Sequence, residues 1–358
     1  MGAFILNRAL YGMLVLIGVV VVVFFLFNVL PADPARLVMG QRSDVSSLEQ
    51  INKELGRDKS LPVQFLLYLN DLSPLSVHSL SPASHSFYTP EKYSHALKLL
   101  PLGKDKVLLL KLPYLRRSYQ TKRKVTDIFL DVLPNTLVLS IAAMLIATFL
   151  GIFLGIYASV KKDTWQDNII LVFSALGTSL PSFFAGILIA WLFGFVLHSY
   201  TGLNMTGSLY ETDPFTGDHL VLKNLILPAI ALGIRPLAII VQLMRSAMLD
   251  ELSKDYIRTA RAKGLPRNVI LMKHALKNAL NPVITVISGW FASLLSGAFF
   301  IEYIFGWRGL GKVTVEALEK YDFPVVIGAV LLVALIFVTI NICVDILYGW
   351  LNPRVRIA

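Results

Sequence analysis

Apolar positions in this chain fall in long unbroken runs, not in the alternation of a half-buried strand or the three-and-four spacing of a soluble helix. A membrane-crossing helix needs about 20 mostly apolar residues. Five runs meet that requirement: 9–30, 133–160, 225–249, 282–301 and 323–344. A sixth, 168–200, is too long for one crossing and too short for two, and Pro181 divides it. The pattern predicts an interfacial helix over 169–180 and a crossing over 182–200. Six crossings put both termini on the same side. The first run is longer than the about 7–15 apolar residues of a signal peptide, and the "PADPA" behind it is a poor cleavage site. It reads as an uncleaved anchor.

Orientation follows from Lys and Arg in the short connections, which accumulate on the cytoplasmic side. One set of loops holds Arg8, Lys161, Lys162, seven cations from Lys254 to Lys277, and Arg354 and Arg356. The other holds only Lys223, Arg308, Lys312 and Lys320. The first set is therefore expected in the cytoplasm, with both termini. The resulting expectation is an all-α integral membrane protein of six transmembrane helices, with a large external loop between the first and second. Its parts are an N-terminus and first helix (1–30), the external loop (31–131), a five-helix core (132–351) containing a basic cytoplasmic loop (250–281), and a cytoplasmic tail (352–358).

Composition agrees with that class. Charged residues make up 16 % of the chain, against about 25 % in an ordinary soluble domain. The net charge of +10 is carried by loops, where membrane insertion explains it, so the expected partner is the lipid bilayer and not nucleic acid. Cys343 is the only cysteine and lies in an apolar run, which excludes a disulfide framework and a cysteine metal site.

The basic loop has a predicted fold of its own. "DELSKDYIRTARAKG" is rich in helix formers, with acids at its start and cations at its end, as the helix dipole favours. Gly264 is placed to end this helix, and Pro266 to stand in the first turn of a second, "PRNVILMKHALKNAL". Thr259, Ala260 and Ala262 are small and expected to be exposed near the turn, so that another surface could approach closely. Such a loop could also do no more than fix topology.

These residues resemble the cytoplasmic "EAA" loop of binding-protein-dependent ABC importer permeases, in the dipeptide/oligopeptide/nickel branch. In that pattern Arg258-Thr259-Ala260 stands for Glu-Ala-Ala, Gly264 for its Gly, and His274-Ala275-Leu276-Lys277 for Ile-x-Leu-Pro. "ILNRALYGMLVLIG", "LEQINKELGRDKSLPVQFLLYL", "RRSYQTKRKVTDIFLDVLPNTLVLS" and the stretch from "FFIEYIFGWRGLGKV" to "LNPRVR" resemble further parts of the family. The poor match is about 70–115, an apparent insertion whose Ser and Pro content suggests irregular surface structure. The resemblance implies an ABC type I importer permease fold. It also implies a second homologous permease, two cytoplasmic ATPases that use ATP and Mg, and an external solute-binding protein. The coupling loop would comprise Arg258, Thr259, Ala260, Arg261, Ala262, Lys263, Gly264, Leu265, Pro266, His274 and Leu276. A peptide is the implied solute, with nickel or another small solute as the alternative. A stand-alone channel or membrane anchor is the remote one.

No catalytic or cofactor site is expected on this chain. "GWRGLGKV" (306–313) fits G-x-x-x-x-G-K, but Val313 replaces the Ser or Thr that would hold Mg²⁺. A tight turn is the simpler reading. Six scattered histidines lack metal-ligand spacing, and His78, His85 and His95 read as surface residues. Arg235, deep in the fourth run, is a candidate for an ion pair, a snorkelling side chain or a cation on the solute path. Glu302 and Asp345 stand near the ends of the fifth and sixth runs. Gly151 and Gly155 form a G-x-x-x-G; Gly289, Ser293 and Gly297 repeat the spacing of four, a period that lets helices approach closely.

Overall fold

The computed structural model describes residues 2–29 and 59–351, apart from 82, 83, 85, 90, 91, 94, 95, 104, 214 and 216. The "PADPA" exit, the first part of the following loop, His85, His95 and the tail with Arg354 and Arg356 lie outside the described residues. In chain order the elements are α1 (Gly2–Val29), α2 (Leu61–Leu72), β1 (Leu75–Ser79), β2 (Leu97–Leu102), β3 (Lys106–Leu110) and α3 (Val125–Val160). Next come α4 (Trp165–Ser179), α5 (Ser182–Ile189, continued by a π-wound turn, Ala190–Val196), α6 (His198–Thr201), β4 (Tyr210–Asp213), β5 (Gly217–Leu220) and α7 (Lys223–Leu252). The last are α8 (Asp255–Ala262), α9, α10 (Phe299–Phe305), α11 (Leu310–Glu319) and α12 (Phe323–Leu351). α9 runs through Arg267–Val269, a π-wound Ile270–Ala275 and Leu276–Gly297.

Five helices are long and apolar enough to cross a membrane, and the count reaches six if the bent pair α4 and α5 is one broken crossing. That pair turns by 114°. Leu180 and Pro181 at the bend are extended, with ψ of 135° at both. Proline disfavours a helical conformation in the residue before it and has no N–H to donate, so the helix stops there. The fifth run differs from expectation at both ends. Its helix starts with the basic segment, at Arg267, and tolerates Pro282 inside it. Glu302 falls in a separate short helix, α10, instead of closing that run.

The all-α expectation is corrected by two small antiparallel sheets. One is three-stranded in the order β1-β3-β2; the other is the hairpin β4-β5. The segment 70–115 is thus a built module, not irregular surface. Its physical basis is a core that mixes polar and aliphatic side chains. Ser76, His78, Val107 and Leu109 on one face of the sheet are buried. His78 hydrogen-bonds Ser76 Oγ through Nε2 at 3.0 Å and the Ser86 carbonyl through Nδ1 at 3.3 Å, and packs on Tyr93 at 4.5 Å. Tyr93 donates to Asp71 Oδ1 at 2.6 Å, and Lys111 donates to the Asp71 carbonyl. His78 is therefore not a surface histidine. Burial, reinforced by the Lys111 charge, pulls its pKa down to about 4. Burial likewise pulls the Lys111 amine down to about 8.

The chain divides into two compact units. One comprises residues up to Leu16, Val132–Val315 and the chain from Val333 onward; the other comprises Ile17–Asp131 and Glu316–Leu332. In the first, α3 packs on α7 because Gly151 and Gly155 present no side chain. A Cβ on them would stand 2.7 Å from Ile240 Cγ2 and 2.6 Å from Met244 Cβ. In the second, α2 lies against α1 through Phe24, whose ring is 5.0 Å from Phe65 and 5.6 Å from Tyr68. Asn70 on α2 makes both side-chain hydrogen bonds to the Val77 backbone, at 3.0 and 3.1 Å, and so holds the sheet. The carboxylate of Asp322 is bonded by the Ser118 hydroxyl and by the Tyr119 and Gln120 N–H groups.

Candidate functional site

The basic segment forms α8, a tight turn and the start of α9. Asp255 stands in the first turn of α8 and Arg261 in the last, in the order the helix dipole favours. The Gly264 N–H donates to the Arg261 carbonyl at 2.9 Å, and the Leu265 N–H to the Ala260 carbonyl at 3.3 Å. These are the two bonds of a Schellman cap, which requires a left-handed residue between them. Gly264 supplies it at φ +73°. Pro266 is extended and serves as the N-cap of α9, one position before its first turn.

Only part of the small-residue face is open. Thr259 and Ala262 are exposed, with Arg258, Arg261, Lys263, Gly264, Leu265 and Pro266. Ala260 is not: it is buried with Ile257 in an apolar cluster that includes Met248, Ile270 and Ala275. A short cationic helix needs an apolar inner face to stay on the bundle, and residues 257 and 260, three apart, provide it. His274 and Leu276 are half-buried on α9. Polar bonds complete the attachment. Glu251 accepts from Lys254 and from Tyr256, both at 2.5 Å, and Asn278 donates to the Tyr256 oxygen at 3.1 Å. One carboxylate thereby ties α7 to α8, and through Tyr256 to α9.

A second tie was not singled out from the sequence. Arg245 on α7 donates from Nε and Nη2 to the two oxygens of Asp167 on α4, both at 2.6 Å, and Asp167 is 1 % exposed. A two-pronged, buried ion pair of this kind fixes orientation as well as distance. Each was visible as a charge, Asp167 in the first turn of α4 and Arg245 inside an apolar run, but the pair is 78 residues apart.

The remaining candidates separate into packed and open positions. Asp345 pairs with Arg8 at 3.2 Å, joining α12 to α1. Glu302 is fully buried, and its Oε2 accepts from the Gly311 N–H at 2.6 Å and the Lys312 N–H at 3.2 Å. Here the glycine-rich turn receives its explanation. A Cβ at Gly309 would overlap the Glu302 carboxyl group, and one at Gly311 would overlap the Phe299 backbone. The motif cradles a carboxylate of its own chain. Arg235, by contrast, is exposed on α7, with no hydrogen-bond or ion-pair partner among the described residues. On α9, Ser293 is exposed and nothing lies within 4 Å of a Cβ built on Gly289, while Gly297 ends the helix. Among the described residues no group of three or more metal-ligating side chains is gathered.

A bundle of crossing helices, interrupted by a capped cationic helix on the surface, has counterparts among known proteins. The family model for the binding-protein-dependent transport system inner membrane component matches residues 147–357, and the N-terminal model of such membrane components matches 1–80. The chain belongs to this permease family. A di/tripeptide transport system permease of Pseudomonas aeruginosa is 35 % identical over 95 % of this chain and 94 % of its own length. A dipeptide transport system permease of Alkalihalophilus pseudofirmus is 32 % identical over 99 % of both chains. A glutathione transport system permease of Pectobacterium atrosepticum is 33 % identical over 98 % of this chain and 97 % of its own. A solved amino acid ABC transporter is also matched, with a TM-score of 0.45 and 16 % identity over 64 % of this chain and 94 % of that one. As a permease of an ABC importer the chain is a multi-pass transport subunit of the inner membrane, and ATP hydrolysis lies in separate subunits.

Proposed function

We propose that this permease carries peptides, and that α8 with the Gly264 turn is the element on which an ATPase acts. The peptide reading is supported by near full-length similarity to permeases named for dipeptides and di/tripeptides. The coupling reading rests on one observation: α8 is fixed on its inner side by Ile257, Ala260 and Tyr256 and left open on its outer side at Thr259 and Ala262. A rigid attachment transmits displacement, and an uncovered small-residue face admits a partner. In this reading loop 250–281 and both termini are cytoplasmic, loop 31–131 is external, and a second homologous permease completes the path. Arg235 and the open Gly289–Ser293 stripe then face that partner or the hydrated path between the two.

The test uses complexes reconstituted with the second permease, both ATPases and the binding protein. Dipeptide uptake and binding-protein-stimulated ATP hydrolysis should both be present, with nickel uptake absent. Arg235→Leu should lower uptake while the complex stays assembled; unchanged uptake removes Arg235 from the path. Normal coupling in a complex carrying Ala262→Trp would leave the loop a topological anchor only.

A further inference from the structure

The three-stranded sheet carries aliphatic residues on both faces. One face buries Val107 and Leu109 beside Ser76 and His78, and the other leaves its aliphatic residues largely uncovered. Strand register puts Leu75, Leu110 and Leu97 in one row of a single face, and Val77, Leu108 and Leu100 in the next. Leu97 and Leu100 on the edge strand are 63 % and 61 % exposed. An uncovered aliphatic sheet face beside an open edge strand invites association.

Three observations identify what covers it. The first is composition: the face carries Leu and Val with no aromatic residue and no Arg, and Lys106 closes its next row. Protein interface cores are enriched in aromatic residues, Met and Arg and depleted of Lys, whereas leucines bordered by Lys or Arg are among the residues of surfaces that lie on membranes. The second is charge. Between Lys59 and Asp131 there are eleven Lys and Arg against five Asp and Glu, complementary to an anionic surface. The third is position. α2 packs on Phe24, which lies inside the crossing segment Leu6–Leu26, and Asn70 of α2 bonds directly to β1. The sheet is thus held one short helix away from a residue at membrane depth.

We propose that the face formed by β1, β3 and β2 rests on the membrane itself, on an anionic phospholipid surface beside the end of α1. The leucines enter the boundary between headgroups and acyl chains, and Lys106 at the end of the face meets the phosphates. The proposal does not depend on the transported solute or on which side of the membrane the loop occupies.

The test uses the full chain with Cys343→Ser, reconstituted in nanodiscs and carrying one fluorophore-labelled cysteine at a time. Leu100→Cys and Leu110→Cys place the label on the face; Thr121→Cys, exposed in the same unit, is the control. In phosphatidylglycerol-containing discs with nitroxide-bearing lipid, quenching at both leucine positions should be at least about threefold that at Thr121. It should fall by about half or more in phosphatidylcholine discs. Two face positions are used because a label on the edge strand could disturb it, whereas Leu110 lies on the central strand. Equal quenching at Leu110 and Thr121, or quenching indifferent to lipid charge, overturns the proposal. So does shielding of Leu110 that occurs only when the purified binding protein is added.

Discussion

Two turns of this permease each use a left-handed glycine, Gly264 after α8 and Gly306 after α10, but only the second adds glycines that crowding demands. At the end of α8, Gly264 has a positive φ and open space around it: nothing lies within 4 Å of a Cβ built there. After α10, Gly309 and Gly311 have no positive φ, but their surroundings are full. The Glu302 carboxyl occupies one place and the Phe299 backbone the other. The first glycine is required by conformation and the second pair by crowding. A turn whose shape is set internally while its surroundings stay empty is suited to receive something. One filled by its own chain is a strut. Both come from cationic stretches, one with a single glycine and the other with three.

The largest expected effect belongs to the crowded turn. Gly311→Ala should lower stability by about 3 kcal/mol, the upper range for overpacking, read as a drop in the thermal midpoint of the purified protein. A midpoint equal to wild type would mean that the turn is not packed against Phe299. Gly264→Val should cost less, about 1–2 kcal/mol for forcing a side chain into the left-handed region, yet abolish stimulated ATP hydrolysis. Gly264→Asn, which tolerates that conformation better, should retain most of it; equal loss in both variants would show that conformation is not what matters there.

Smaller still on the stability scale is Ala262→Trp on the open face of α8. It should shift stability by less than about 0.5 kcal/mol while weakening ATPase association in a pull-down. Ala260→Trp, two residues away on the buried face, should show the reverse order, with the fold affected first. Identical behaviour of the two would erase the distinction between an inner and an outer face. Lys273→Gln, on an exposed stretch of α9 with other cations nearby, should leave both stability and coupling near wild type. A large effect there would transfer the role from shape to charge.

The crossing helices were legible because uninterrupted apolar runs have few other uses. The α8 turn was legible because helix formers, Gly264 and Pro266 all pointed the same way. Ala260 could not be oriented from its size alone; its partner Ile257, one turn back, decides its side. The sheet at 75–110 was hidden because β1 inverts the usual alternation, with Ser76 and His78 facing in, while β3 carries aliphatic residues on both faces and so shows no alternation at all. Asp167 and Arg245 were individually visible as charges, one at the start of a helix and one inside an apolar run, but no local rule connects residues so far apart in the chain.

The polar interior around His78 also decides which environmental change the sheet registers. No disulfide holds it, because the chain's single cysteine is at position 343, so oxidants and reductants leave its framework alone. Acid does not. A histidine whose folded pKa is about 4, against about 6.5 unfolded, adds stability that is complete above the unfolded value. That stability is lost as pH falls from there toward the folded one. Amide exchange in β1 should therefore quicken on the order of a hundredfold between pH 7 and pH 4, after correction for intrinsic rates, and His78→Gln should flatten that dependence. Redox-blind but proton-sensitive, the module would loosen where acidity rises, while the helix bundle it adjoins in sequence stays folded.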